Sequence, residues 1–206
     1  MFTVYEDKRP YFITFHLENL EDIRTMILEC LKTVQPDDRV ISKYNHLNLT
    51  EKDGQKVIDM FPLSKIYTFA PERVAVFETP PYGGAGIHKD GPGLYPHNVS
   101  FNIPITVEDD KCTTKWFDDI EFKDFTNQSD GKYSRNVFLD PSKTDQFNSS
   151  AETVLKNDCA MLVNTEAWHT FYNNGPNVRR VLTLRLSKTE RKNADFISVA
   201  QKLFPK

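Results

Sequence analysis

The residues of this chain equipped for metal chemistry fall into two groups. His88-Lys89-Asp90 follows a glycine-rich bend, Tyr82-Gly-Gly-Ala-Gly86; far downstream stands Trp168-His169, followed ten positions later by Arg179. Two imidazoles and one carboxylate can hold a redox-active divalent metal on one face and leave the other coordination positions open. Arg179 adds a planar cation able to grip a carboxylate through two parallel hydrogen bonds. The pattern alone decides little. His16-Leu17-Glu18 has the same local form, and taken singly His88 reads as a solvated loop histidine and His169 as a core histidine. His97 is a further imidazole, better suited to a substrate contact than to the metal.

Setting separates these readings. His88 and Asp90 lie between two β-type runs, Arg73 to Thr79 and Val99 to Val107, and at a strand end positions i and i+2 project to the same face. Glu18 instead runs into a helix start at Asn19, which leaves His16 on a strand edge. Further short runs at 113–117, 159–164, 168–172 and 178–187, broken by Gly, Pro and Asn, predict a sandwich or barrel. Asn173 to Asn177 reads as a hairpin turn between the last two. On the last run Arg179, Val181, Thr183 and Arg185 share one face, so Arg185 competes with Arg179 as the carboxylate anchor. Arg180, facing the other way with Leu182 and Leu184, is a third choice.

Around this core, Tyr11 to Leu17 reads as a strand and Asn19 to Thr33 as a helix with Leu20, Ile23, Ile27 and Leu31 at helical spacing, capped by Asn19. A second helix starts at Thr50 and stops at Pro62. Asn193 to Phe204 forms a third, packed on the barrel exterior through Phe196, Val199, Ala200 and Leu203, after a solvated helix start at Lys188 to Lys192. The polar stretch from Asp118 to Asp158 reads as a partly ordered flap over the barrel mouth, the alternative being an ordinary excursion with one or two edge strands. The organisation expected is one domain over 1–206: a supporting N-terminal part, 1–72; a β-barrel core, 73–187, carrying the 118–158 insertion; and a C-terminal helical part, 188–206.

Composition narrows the function classes. A net charge of -3 provides no electrostatic footprint for nucleic acid. Three scattered cysteines without a C-x-x-C pair argue against a disulfide framework and structural zinc. No signal peptide and no long apolar span is visible, so the expectation is a cytoplasmic protein without membrane association, a monomer or homodimer. The four Asn-x-Ser/Thr sequons, at Asn48, Asn98, Asn127 and Asn148, then read as coincidences of composition.

The segments Ile87-His-Lys-Asp-Gly91, Val99-Ser-Phe-Asn-Ile-Pro-Ile105, Cys112-Thr-Thr-Lys-Trp-Phe117, Ala167-Trp-His169 and Val178 to Ser187 together resemble the Fe(II)/2-oxoglutarate-dependent oxygenase superfamily, in texture its small bacterial and phage members akin to prolyl and aspartyl/asparaginyl hydroxylases. The resemblance covers 73–187. It implies a mainly β fold with flanking helices, a double-stranded β-helix or cupin-like jelly roll, with iron between His88, Asp90 and His169. It also implies 2-oxoglutarate and dioxygen as cosubstrates, succinate and carbon dioxide as products, and hydroxylation of a small polar molecule, amino acid or peptide side chain. The presence of Asp90 favours hydroxylation over halogenation, because halogenating members usually lack that carboxylate. Arg179 matches the family's cosubstrate arginine in spacing, although Val181 stands where a hydroxyl residue is common. Asn102, Thr114 and Trp116 match positions lining the cosubstrate pocket and read equally well as plain barrel-interior residues. Two other readings use the same residues: a cupin-like metal-dependent isomerase or dioxygenase without 2-oxoglutarate, and a non-catalytic binding barrel.

Overall fold

The computed structural model describes residues 2–34, 45–90, 99–108, 110–118, 120 and 147–206. Ten strands form two sheets. The larger carries seven, in the order β1 (Val4–Lys8), β2 (Phe12–His16), β8 (Cys159–Asn164), β5 (Val99–Thr106), β10 (Arg179–Arg185), β4 (Ala75–Thr79) and β3 (Asn45–Asn48). The smaller has β7 (Ala151–Val154), β6 (Cys112–Phe117) and β9 (Trp168–Asn173). All recorded pairings are antiparallel. From β7 to β10 consecutive strands alternate between the sheets, and the whole is a jelly-roll double-stranded β-helix with flanking helices.

Alternation along the strands builds two cores, one on each face of the large sheet. The outer face presents Ile13, Phe15, Phe101, Ile103, Leu162, Leu182 and Leu184 to the helices. Phe12, Met161, Val163 and Val181 point inward and meet Cys112 and Trp116 of the small sheet. Burying one such aliphatic side chain stabilises the fold by about 1.5–3 kcal/mol.

The helices α1 (Leu20–Leu31) and α2 (Glu51–Met60) follow the apolar spacing, burying Leu20, Ile23 and Ile27 in one and Val57 and Ile58 in the other. Thr50 caps α2 by accepting the Asp53 amide at 3.1 Å. Asn19 precedes α1 as expected but does not cap it, and its amide donates to the Met60 carbonyl instead. The C-terminal part is two helices rather than one, α3 (Lys188–Asn193) and α4 (Phe196–Leu203), because Ser187 and Asp195 each cap a separate start. Nor is α3 merely solvated, since Arg191 is buried. Three strands were not placed by the sequence reading: β1, β3 and β7, the last an edge strand of the kind allowed within 118–158. The turn 173–177 is no hairpin, because β9 and β10 lie in different sheets and the chain arches between them. Most of the expected flap, and His97, lie outside the described residues; 147–158 contributes β7, on an edge of the small sheet.

Candidate metal centre

His169 sits near the start of β9, on the same inward face as Phe171 and Asn173, and pairs across to Trp116 of β6. His88 belongs to the segment entering from β4, which is tied to β9 by two isolated bridges, Gly84 to Tyr172 and His88 to His169. The histidine backbones exchange both hydrogen bonds, at 2.8 and 2.9 Å, which brings the ring centroids to 4.3 Å. Asp90 is held through its amide to the Thr165 carbonyl at 3.0 Å. Gly84 permits the approach, since a Cβ there would lie 2.4 Å from the Phe171 carbonyl oxygen.

One ligand atom from each of His88, Asp90 and His169 lies within 4.8 Å of the others. Both imidazoles use Nδ1 locally: His88 Nδ1 lies 2.8 Å from the Gly86 carbonyl and His169 Nδ1 lies 2.9 Å from that of Ala167. A carbonyl accepts, so Nδ1 carries the proton and Nε2 keeps its lone pair for a ligand. Asp90 Oδ1 stands 3.5 Å from His88 Nε2. Burial, and then His88, pull the His169 ring down to about 4, so at neutral pH it has no proton to lose before binding a cation. Burial alone would raise the Asp90 carboxyl, but Arg185, His88 and His169 overcome this and hold it below the ordinary carboxylate range. Two neutral imidazoles and an ionised carboxylate fit a divalent transition metal.

The three arginines of β10 separate clearly. Arg180 turns outward and pairs with Glu78 at 2.8 Å. Arg185 reaches the metal centre, its Nη2 donating to Asp90 Oδ2 at 2.8 Å. Arg179, at the other end of β10 from Arg185, points into the barrel, 4% exposed, with its guanidinium 5.0 Å over the Phe171 ring. Its polar neighbour is the buried Cys112 thiol, and no carboxylate pairs with it among the described residues. Burial pulls this guanidinium down to about 10, which leaves it charged. Directly across the strand pair from Arg179 is Thr79, fully buried. Arg179 Nε and Thr79 Oγ1 both lack a hydrogen-bond partner.

Thr79 is the residue the sequence reading missed. It supplies a hydroxyl beside the arginine from β4, where the chain itself has Val181, and only the β4–β10 register reveals it. Asn102 faces the interior, its amide oxygen accepting from Thr183 at 3.0 Å and Ser100 at 3.3 Å. Thr114 lies opposite Phe171, between the metal and Arg179. Trp116 is a wall of the inner core: it stacks on Phe12 at 4.8 Å and its indole donates to the Asn164 carbonyl at 3.4 Å. The three cysteines form no disulfide. His16, at the end of β2, contacts Tyr5 and takes no part in the site.

No family model and no curated protein sequence matches the chain. Solved structures do. HygX from Streptomyces hygroscopicus, with nickel and 2-oxoglutarate bound, superposes with a TM-score of 0.53 at 8% identity, over 84% of this chain and 81% of that one. A 2OG-Fe(II) oxygenase family oxidoreductase from Burkholderia pseudomallei gives 0.50 at 11%, over 87% and 85%. The likeness is one of fold, a cupin-like jelly-roll barrel. A Lactobacillus farciminis oxalate decarboxylase also matches, with a TM-score of 0.42 at 11% identity; the match covers 77% of this chain and about a third, 32%, of the decarboxylase. No helix among the described residues is long and apolar enough to cross a membrane.

Proposed function

We propose that this protein is a non-haem Fe(II)- and 2-oxoglutarate-dependent oxygenase that hydroxylates a small polar molecule, an amino acid or a peptide side chain. The observation that carries the reading is Arg179. A buried guanidinium and a buried hydroxyl, paired across two strands and each with a polar atom lacking a partner, in a barrel that also gathers two histidines and an aspartate, call for an anion between them. A dicarboxylate chelating a metal by one end and reaching inward with the other has that shape. HygX, bound to nickel and 2-oxoglutarate on the same fold, supports the same assignment.

On this reading His88 Nε2, His169 Nε2 and Asp90 Oδ1 hold the metal. Arg179 and Thr79 take the distal carboxylate, and Thr114 and Phe171 line the path between. Bound iron(II), with 2-oxoglutarate and dioxygen, supplies oxidative decarboxylation to succinate and carbon dioxide coupled to substrate oxidation. The chain's own tasks are to orient the two imidazoles through Gly86 and Ala167, to keep Asp90 ionised, and to hold the cosubstrate where water is excluded.

The test is anaerobic addition of Fe(II) and 2-oxoglutarate to the purified protein, followed by exposure to air. A weak visible charge-transfer band and then succinate are expected. Absence of both would overturn the proposal.

A further inference from the structure

Resting on the metal reading above, we infer that Arg185 is the positioning residue of the metal carboxylate, dividing the two oxygens of Asp90 so that the aspartate enters as a one-toothed ligand. The geometry is specific. Arg185 Nη2 donates to Oδ2 at 2.8 Å, while the other oxygen, Oδ1, lies toward the imidazoles, 3.5 Å from His88 Nε2. Arg185 Nη1 makes no hydrogen bond, so this is a single-pronged contact that leaves Oδ1 free. A two-pronged arginine grip would occupy both oxygens.

Both partners are rigidly based. Arg185 ends β10, where its carbonyl accepts from Ala70 at 3.0 Å and its backbone registers with Ser100 of β5. Asp90 is fixed through its amide to Thr165. The two side chains are 13% and 14% exposed, so water screens their attraction little. A carboxylate held this way cannot swing to chelate a metal through both oxygens without giving up the arginine, and a one-toothed aspartate leaves one more coordination position for other ligands. The contact also removes Arg185 as an anchor for the distal carboxylate. It stands six residues along an extended strand from Arg179, about 20 Å of chain, and its guanidinium is already engaged beside the metal.

The experiment uses Co(II) as the probe, measuring affinity by calorimetry and coordination by the intensity of the visible d–d bands, in the wild type, Arg185→Met, Arg185→Lys and Asp90→Asn. Arg185→Met should weaken Co(II) binding about 10- to 100-fold, the range typical of groups that orient metal ligands, and change the d–d spectrum. Arg185→Lys, which keeps the charge and serves should the Met variant fail to fold, should recover part of the affinity. In the Asp90→Asn background, Arg185→Lys should change nothing further. With Co(II) saturating, 2-oxoglutarate affinity should stay within about threefold of wild type. Unchanged Co(II) affinity and spectrum in both Arg185 variants overturns the inference. So does loss of 2-oxoglutarate binding with Co(II) binding intact, which would return Arg185 to the role of cosubstrate anchor. A wild type that fails to bind Co(II) overturns the metal reading itself, a result distinct from either.

Discussion

Arg179 and Thr79 leave two polar atoms unsatisfied inside the barrel, and each unpaired buried group costs about 1–3 kcal/mol. Arg179→Met should therefore stabilise the ligand-free protein by about 1 kcal/mol or more. It should also lower 2-oxoglutarate affinity of the Co(II)-loaded protein about 100-fold, the loss of two charge-assisted hydrogen bonds. Thr79→Val, nearly isosteric, should move both quantities the same way by less. Urea midpoints and equilibrium dialysis check this, and a destabilised Arg179→Met with normal affinity would contradict it. His169 makes the metal-free protein acid-sensitive. Its ring titrates near 4 when folded and near 6.5 when unfolded, so between those values the unfolded chain binds the extra proton and stability falls as pH drops. The loss amounts to about 3 kcal/mol, complete near pH 4; Asp90, depressed when folded, adds to it only below the ordinary carboxylate range. Denaturant titrations of the metal-free protein at pH 7 and 4.5 should show the difference, and His169→Gln should remove its histidine part. At this scale the gathering of His88, Asp90 and His169 was legible from order and alternation, both properties of the sequence itself. The choice among three arginines was not, because it depends on which residue each guanidinium meets across the barrel.

Strands buried on both faces announce themselves as short, nearly continuous apolar runs, and β5, β8 and β10 stand close to their expected bounds for that reason. The missed strands lie on sheet edges, at the two ends of the large sheet and at one end of the small one. Val4 to Lys8 is almost wholly exposed and rich in charge, leaving no alternation to read. The misread turn at 173–177 has a different cause. Its residues suit a tight reversal, but whether a reversal stays in one sheet or crosses to another is set by distant strands. Asn173 secures the crossing, its amide donating to the carbonyls of Thr79, Pro80 and Asn177 at 3.3, 3.1 and 2.7 Å. The loop carrying His88 is secured by proximity instead. Gly84→Ala would place a methyl against backbone oxygen and the Tyr172 ring, so it should cost about 1–3 kcal/mol and weaken Co(II) binding with it. Thermal melts with and without Co(II) measure both, and an unchanged melting temperature would contradict the close approach.

Over the whole molecule, the large sheet separates the outer core from the barrel interior, into which the small sheet projects the candidate metal centre. Leu162 belongs to the outer core and His169 to the inner wall. Leu162→Ala should therefore lower global stability by about 2–5 kcal/mol while leaving Co(II) affinity of the folded protein within about twofold. Urea melts paired with calorimetry separate the two, and a parallel loss of affinity would show that the faces are coupled. A sandwich or barrel was legible because short β-type runs with turns between them have few other ways to bury a core; the jelly roll in particular came from the resemblance carried by 73–187. Thr79 beside Arg179 was not, because pairing β4 with β10 joins residues a hundred positions apart.

The two bridges that tie the His88 loop to β9 do not count evenly. Gly84 meets Tyr172 and His88 meets His169, so four steps on the loop answer three on the strand. That surplus residue is a bulge, and it reverses which side chains face inward beyond it. With regular pairing from Gly84, Ile87 would stand opposite His169 and His88 opposite Trp168. In the bulged chain Ile87 instead joins Phe117 and Trp168 in a small cluster on the far side of β9. The length of a surface connection is ordinarily the most permissive quantity in a protein. Between positions 84 and 88 it is odd-or-even arithmetic, and the same segment paired without its bulge would present Ile87, not His88, on the face of His169.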